Sequence, residues 1–138
     1  MRIRKERYFS IQGHNRPGEL SSITASLMSA GVDCSGIWGF GTGSEGAEIV
    51  VVPRHPQDFK ELAQRQQWNM TEGICFHLEG ADKTGALVDI LNKISKEKIN
   101  LKAVDAIAVE DDFGCYIWAP DEESEHVAQI LGLSTPKP

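Results

Sequence analysis

The sequence predicts an α+β protein made of two copies of a βαββαβ unit, each with a four-stranded antiparallel sheet and two helices on one face. The two halves of the 138-residue chain align without a gap, at an offset of 67, over residues 8–53. Strand-period and helix-period segments also follow each other in the same order in both halves. The predicted domains are residues 1–70 and 71–138, with a loose tail from about residue 133.

The alignment of the halves depends on glycines and apolar residues that recur at matched points. A unit of this size buries too little surface to be stable alone, so we expect two to pack together and the pair to associate again as a homodimer. The matched pairs include Phe9 and Phe76, Gly13 and Gly80, Gly18 and Gly85, Ile23 and Ile90, Leu27 and Ile94, and Pro53 and Pro120.

In the first half, apolar residues alternate from Tyr8 to Gln12, which predicts a strand. Pro17 and Gly18 open a helix, and apolar residues then recur at helical spacing until Gly31 ends it. The other predicted elements are a strand over 32–40, a turn over 41–46, a strand over 47–52, a helix over 58–67 and a short strand around 68–71.

The second half repeats this order, beginning with a strand around Ile74 to Leu78. A turn over 82–85 and a helix lined by Leu87, Ile90 and Ile94 follow. The remaining predicted elements are a strand over 99–109, an acidic turn over 110–112, a strand over 114–119 and a helix over 121–131 with an acidic first turn.

Composition and charge exclude several functional classes. The net charge is −6 and the second half is strongly acidic, which argues against nucleic acid as a partner. No apolar stretch approaches the roughly 18 residues of a membrane helix, and no secretory signal is visible, so the expected location is the cytoplasm. The basic run Arg2, Arg4, Lys5 and Arg7 is interpreted as a solvated terminus.

No pattern indicates a catalytic or metal site, so the sequence predicts a protein that is not an enzyme and has no cofactor. Cys34, Cys75 and Cys115 lack paired spacing and are interpreted as reduced, buried thiols. The histidines are interpreted as solvated, His77 among them. The segment Gly41–Gly46 fits GxGxxG, but a strand follows it where a dinucleotide site needs a helix, so it is predicted to be a hairpin turn.

One pattern suggests a small ligand. Asn15 precedes Gly18 at a helix start, Asp82 precedes Gly85 in the same way, and a further polar residue, Asp33 or Asn100, follows each helix. First-turn amides attract a carboxylate and a side-chain oxygen accepts from an ammonium, which suits an α-amino acid. The alternative is that these are helix caps and turn residues only.

The segment Asn15-Arg16-Pro17-Gly18-Glu19-Leu20, followed by Gly31-Val32-Asp33, resembles the ACT domain family. Asp82-Lys83-Thr84-Gly85-Ala86-Leu87, followed by Ile99-Asn100-Leu101, resembles a more divergent copy, and together the likeness covers about residues 7–132. It implies two tandem ferredoxin-like modules that bind an amino acid effector and regulate a metabolic enzyme.

In serine-sensing members of that family, the loop asparagine holds the effector, and a polar residue after the helix of the neighbouring module completes the site. This chain has Gly13 where those relatives carry a histidine, and its Asp33 and Asp82 are carboxylates where they have amides. By position, the resemblance implies a first site of Asn15, Arg16, Gly18 and Asp33 and a second of Asp82, Gly85 and Asn100.

The sequence therefore predicts a regulatory protein that senses a small amino acid at a module interface. One alternative is a dimerisation or docking module without a ligand. The other is a small acyl-phosphate hydrolase on the same scaffold, for which Arg16 is the candidate phosphate-binding residue.

Overall fold

A computed structural model of the chain describes residues 1–43, 45–81 and 84–133. Over these residues the protein is α+β, as predicted, with four helices and six strands. The six strands belong to one sheet, where two four-stranded sheets were predicted, because β1 and β4 are each long enough to serve both halves of it. In chain order the elements are β1 (Arg2–His14), α1 (Glu19–Ser29), β2 (Cys34–Gly41), β3 (Gly46–Pro53), α2 (Pro56–Gln66), β4 (Asn69–Ala81), α3 (Thr84–Lys96), β5 (Ala103–Val109), β6 (Asp112–Trp118), a short 3₁₀ helix (Asp121–Glu123) and α4 (Ser124–Ile130).

The chain divides into two compact units. One, the N-terminal unit, is Arg7–Gly73, and the other, the C-terminal unit, joins Met1–Glu6 to the chain from Ile74 onward. The strands β1 and β4 each contribute one part to each unit. The expected loose tail lies outside the described residues from residue 134 onward.

The N-terminal unit has the strand order β2-β3-β1-β4, to which β4 contributes residues 69–73. Phe9 lies opposite Val51 and Ile11 opposite Ile49 in the antiparallel β1–β3 pair, so alternation directs all four to one face. Helices α1 and α2 cover that face. The buried core consists of Phe9, Ile11, Ile23, Leu27, Val32, Ile49, Val51, Phe59, Leu62 and Ala63.

The C-terminal unit has the strand order β1-β4-β6-β5, to which β1 contributes residues 2–6. Helices α3 and α4 again contribute to the core on one face of the sheet. Its buried residues are Phe76, Leu78, Ile94, Ile99, Phe113, Cys115, Ile117, Ala119, Val127 and Ala128.

The basic N-terminus is a strand of the C-terminal unit, so its interpretation as a solvated terminus is wrong. Arg2 and Arg4 form ion pairs with Glu79, Arg4 at 3.4 Å, and Lys5 lies 3.8 Å from Glu125. Ile3 packs against the core of this unit. The alternation of Arg2-Ile3-Arg4 is therefore that of a half-buried strand. Arg4 pairs with the nearby Glu6 at 3.1 Å, but Glu79, which Arg2 and Arg4 share, lies more than 70 residues away in the sequence.

Strand β4 is one continuous element of 13 residues, where a short strand and a separate second strand were predicted. Gly73, in its interior, would normally weaken a strand. A Cβ at this position would lie 2.9 Å from Cε1 of Tyr8, so the Tyr8 ring packs directly over the glycine. The ring leaves no room for a side chain at position 73, which explains the glycine there.

Over the described residues, no helix is long and apolar enough to cross a bilayer.

Candidate functional site

The loop between β1 and α1 is tied to the turn between β2 and β3. The backbone N–H of Asn15 donates to the carbonyl of Glu45 at 2.8 Å, and its side-chain Nδ2 donates to the carbonyl of Gly43 at 3.4 Å. The Asn15 amide packs so close to Gly41 that a Cβ there would lie 3.2 Å from Nδ2. These contacts fix the loop while Asn15 itself stays exposed.

Gly18 precedes α1 in a left-handed conformation, with φ 88° and ψ −6°. Side chains disfavour this conformation, which explains the glycine, and a Cβ built there meets nothing within 4 Å. Because the cap residue has no side chain, it cannot accept from the first-turn N–H groups, as a serine or aspartate cap would. The N–H of Glu19 donates to the carbonyl of Arg16 at 3.3 Å, and the N–H groups that follow it in the first turn have no side-chain cap and suit an approaching anion.

Glu19 and Arg16 form an ion pair at the end of this loop. The Arg16 Nε donates to Glu19 Oε2 at 3.0 Å, so the charges of the pair offset each other beside the first turn of α1. The other carboxylate oxygen, Oε1, would lie 3.2 Å from a Cβ at Gly13. Glu19 thus occupies the space beside the position where serine-sensing relatives carry a histidine.

Asp33 lies at the opposite end of α1 from this loop. The helix has 11 residues, so about 16 Å separates its ends. Asp33 is exposed, and its carbonyl accepts from the backbone N–H of Arg54 at 2.8 Å. Within the N-terminal unit the structure therefore brings Asn15, Arg16 and Gly18 together, and Asp33 does not join them.

The described residues of the second candidate set, Gly85 and Asn100, lie near opposite ends of α3. Asp82 lies outside the described residues, as does Lys83. Gly85 is the second residue of α3, is exposed and meets nothing within 4 Å of a built Cβ. Asn100 is exposed beyond the other end of α3, a helix of 13 residues that spans about 20 Å.

The three cysteine thiols all have raised pKa values, which disfavours the reactive thiolate form. Burial raises the pKa of Cys75 to about 12 and that of Cys115 to about 11, with nearby Glu6 and Asp105 adding to the respective shifts. Cys34 is half-buried, and burial together with Asp33 raises its pKa as well. The described residues contain no cluster of His, Cys, Asp or Glu that could hold a metal ion.

The strands on either side of the glycine-rich segment form an antiparallel hairpin, as predicted, and Ser44 within the segment lies outside the described residues. The two strands pair antiparallel up to Gly41 and Ala47, and the N–H of Thr42 donates to the carbonyl of Gly46 at 3.0 Å. Since β3 follows the turn, no helix N-terminus is present to hold a pyrophosphate there.

Sequence reasoning missed the environment of His77, which is not a solvated side chain. Its ring stacks on Tyr116 with centroids 4.3 Å apart, and its Nδ1 lies 2.8 Å from Arg4 Nη2 and 3.2 Å from Glu6 Oε1. Strand alternation placed His77 on the face away from the helices. The basic strand that covers it was the missing information.

No protein-family model and no curated protein match the chain. Solved structures do match, and they share its fold. Protein BT0572 from Bacteroides thetaiotaomicron aligns with a TM-score of 0.80 at 14% identity, over 94% of this chain and 88% of that one. The ligand-free regulatory subunit of aspartate kinase from Thermus thermophilus aligns with a TM-score of 0.63 at 10% identity, over 97% of each chain.

A third match is aspartokinase III from E. coli, solved in complex with lysine and aspartate. It aligns with a TM-score of 0.53 at 18% identity, over 94% of this chain and 31% of that one. At such identities the likeness concerns the fold alone. The chain shares the α+β fold of these structures, which is compatible with the ACT-like fold that the loop motif implies.

Proposed function

We propose that this chain is an amino-acid-binding regulatory protein built of two ACT modules, with no catalysis of its own, that controls a partner enzyme of metabolism. The β1–α1 loop carries the proposal. It presents an exposed Asn15 and a left-handed Gly18 immediately before an 11-residue helix. The fold shared with regulatory subunits of aspartate kinase supports the regulatory role.

The ligand chemistry follows from this loop. The open first turn of α1 carries partial positive charge and suits the carboxylate of an α-amino acid. The Nδ2 of Asn15 is directed to Gly43, which leaves Oδ1 to accept from the ligand's ammonium. The ion pair of Arg16 with Glu19, at 3.0 Å, offsets a carboxylate that would otherwise repel the ligand.

A single module does not complete this site. Asp33 lies about 16 Å from the loop across the 11-residue helix, farther than a small amino acid reaches. A neighbouring module in a homodimer supplies the second polar group, and the ligand then stabilises the association it bridges. A partner enzyme senses the change in association.

Thermal denaturation of the full chain with each of the twenty amino acids tests this proposal. A ligand at about 100 times its Kd adds about 2.7 kcal/mol to the free energy of unfolding, which raises Tm by several degrees. At the same ligand concentration, Asn15→Ala should at least about halve the shift. Asn92→Ala, at an exposed asparagine of α3 outside both sets of candidate residues, serves as the matched control. No shift with any amino acid contradicts the proposal.

A ligand-free docking module is the second candidate, and Glu19 favours it. Its carboxylate occupies the space beside Gly13, and Asn15 is already engaged by the β2–β3 turn. On this account Asn15→Ala loosens the loop and lowers Tm equally with and without amino acids. The hydrolase alternative has less support, since the Arg16 guanidinium is paired with Glu19.

A further inference from the structure

Gly39 is a glycine that the packing of the chain does not require. It lies inside β2, the edge strand of the N-terminal unit, and glycine weakens the interior of a strand. Its φ is not positive, and a Cβ built there would lie 3.4 Å from Leu20 Cδ2, at the short end of ordinary van der Waals contact. A glycine inside a strand often marks the close approach of a ligand.

The other two glycines of β2 are explained by their neighbours. A Cβ at Gly36 would collide with the Trp38 ring, and a Cβ at Gly41 would lie 3.2 Å from Asn15 Nδ2. Both positions are therefore covered by side chains of the chain itself. Gly39 is not covered in this way and is exposed.

The matched position in the second half carries a side chain. Ala106 lies 67 residues after Gly39, on the edge strand β5 of the C-terminal unit. It pairs with Cys115, a core residue, and Gly39 pairs in the same way with Ile49, so both positions lie on the helix side of the sheet. Because the same unit accommodates a side chain there, packing alone does not account for Gly39.

Exposed apolar side chains surround Gly39. Leu20, the second residue of α1, is 44% exposed, and Ile37, two residues before Gly39 on the same side of β2, is 39% exposed. Thr24 lies one helical turn after Leu20, and its hydroxyl donates to the Leu20 carbonyl at 3.0 Å, so this hydroxyl bonds the helix itself. Leu20, Ile37 and Gly39, here called the aliphatic patch, thus suit an aliphatic group.

The aliphatic patch is continuous with the loop that is proposed to bind an amino acid. The Asn15 side chain lies over Gly41, and Gly39 is two residues, or about 6.7 Å, along the same side of β2. At the other end of the loop, the Glu19 carboxylate fills the space beside Gly13. A ligand whose ammonium is held by Asn15 therefore has space for its side chain toward the patch and not toward Gly13.

We propose that the ligand of the N-terminal unit is an amino acid with a branched aliphatic side chain, which packs on the aliphatic patch. The inference rests on the proposed function, in which Asn15 Oδ1 accepts from the ligand's ammonium. The bare backbone of Gly39 lets the methyl groups of the ligand approach the strand beside Leu20, whereas glycine and alanine are too short to reach this point. A charged side chain would lose hydration there without gaining a partner.

Isothermal titration of the full chain with alanine, valine, leucine, lysine and glutamate tests the inference. Each methylene buried on the patch should lower Kd by about fourfold, so valine and leucine should bind at least about tenfold more tightly than alanine. Lysine and glutamate should bind more weakly than valine. Equal affinities, or a preference for a charged side chain, overturn the inference and leave the proposed function standing. No binding by these five overturns the inference, and the proposed function fails with it if none of the other fifteen raises Tm.

Gly39→Val fills the space over the strand and tests the site itself. Valine favours strands, so the variant should fold. Its preference for leucine over alanine should fall by about tenfold, because the added side chain takes the place of the ligand's. Ala106→Val, at the matched position of the C-terminal unit, is the control and should keep the native preference. An unchanged preference in Gly39→Val overturns the inference.

A second copy of the chain is the other possible occupant of the aliphatic patch. Leu20→Ala separates the two, because it removes apolar surface without filling space, and it decides the matter if Gly39→Val does not fold. If a ligand side chain covers the patch, the preference for leucine over alanine should fall by at least about threefold. An unchanged preference overturns the inference, and weaker self-association of this variant in sedimentation velocity without amino acids then identifies a second copy as the occupant.

Discussion

The two units share an order of elements and differ in how each sheet is completed. In the N-terminal unit, residues 69–73 follow α2 and pair beside β1 within the same stretch of chain. In the C-terminal unit, the corresponding place beside β4 is taken by residues 2–6, from the other end of the chain. The same sheet order is therefore reached by a local strand in one unit and by a distant one in the other.

The units also differ at their matched glycines. Gly18 is left-handed and stands before its helix, whereas Gly85 lies inside α3 and has no positive φ. An open, fixed loop with an exposed first turn is therefore described only in the N-terminal unit. This difference makes the N-terminal unit the better candidate for ligand binding.

Deletion of residues 1–6 should have the largest effect on the difference between the units. It removes the strand beside β4, the packing of Ile3 and the ion pairs to Glu79. The C-terminal unit should lose hydrogen-exchange protection in α3 and α4, while α1 and α2 keep theirs. Equal loss in both units contradicts the assignment of these residues to the C-terminal unit.

Phe9→Ala and Phe76→Ala remove matched core rings, both completely buried. Each should lower the free energy of unfolding by about 3–5 kcal/mol, from lost burial and the cavity left behind. Urea denaturation measures the size of each effect, and hydrogen exchange locates it. Each loss should remain within the unit that carries the substitution, and the reverse distribution contradicts the core assignments.

Gly18→Ala and Gly85→Ala should have opposite signs. An alanine at φ 88° is strained, so Gly18→Ala should cost about 1–2 kcal/mol. Gly85→Ala meets open space inside a helix and should gain about 0.4–1 kcal/mol. Urea midpoints of the two variants check this, and effects of the same sign would show that the two loops are alike.

The smallest expected effect is on the pH dependence of stability, and it comes from the buried Cys75 thiol. Cys75 has a folded pKa of about 12, above the ordinary value of 9.0, so the unfolded chain loses this proton first. Stability from Cys75 is complete below pH 9 and is lost as pH rises toward 12, by at most about 1.4 kcal/mol per pH unit. Urea midpoints from pH 8 to 10 should fall less steeply for Cys75→Ala than for the native chain.

Local patterns predicted the helices and the core faces. Phe9 and Ile11 alternate into one core and Phe76 and Leu78 into the other, as their period-2 spacing predicts. The extent of β1 could not be predicted, because Arg2 and Arg4 are stabilised by Glu79, which lies far away in the sequence. A charged run without its partner strand has the same pattern as a solvated terminus.

In the candidate site, too, local sequence predicts some features, whereas others depend on contacts with distant residues. The loop of Asn15 and Gly18 is local, and its glycine follows from the left-handed turn before a helix. The packing of Glu19 beside Gly13 is not visible in the sequence, since it depends on how α1 lies against β1. The distance from the loop to Asp33 follows from the helix length, but the neighbour that completes the site cannot be deduced from a single chain.

The β1–α1 loop of the N-terminal unit is proposed to bind an amino acid. Isothermal titration of the full chain with the amino acid that most raises Tm tests this most directly, beside Asn15→Ala and the control Asn92→Ala. The native chain and the control should bind with the same Kd, and Asn15→Ala should bind at least about tenfold more weakly, from the loss of a hydrogen bond to a charged group. Equal binding by all three proteins, or no binding by the native chain, contradicts the claim.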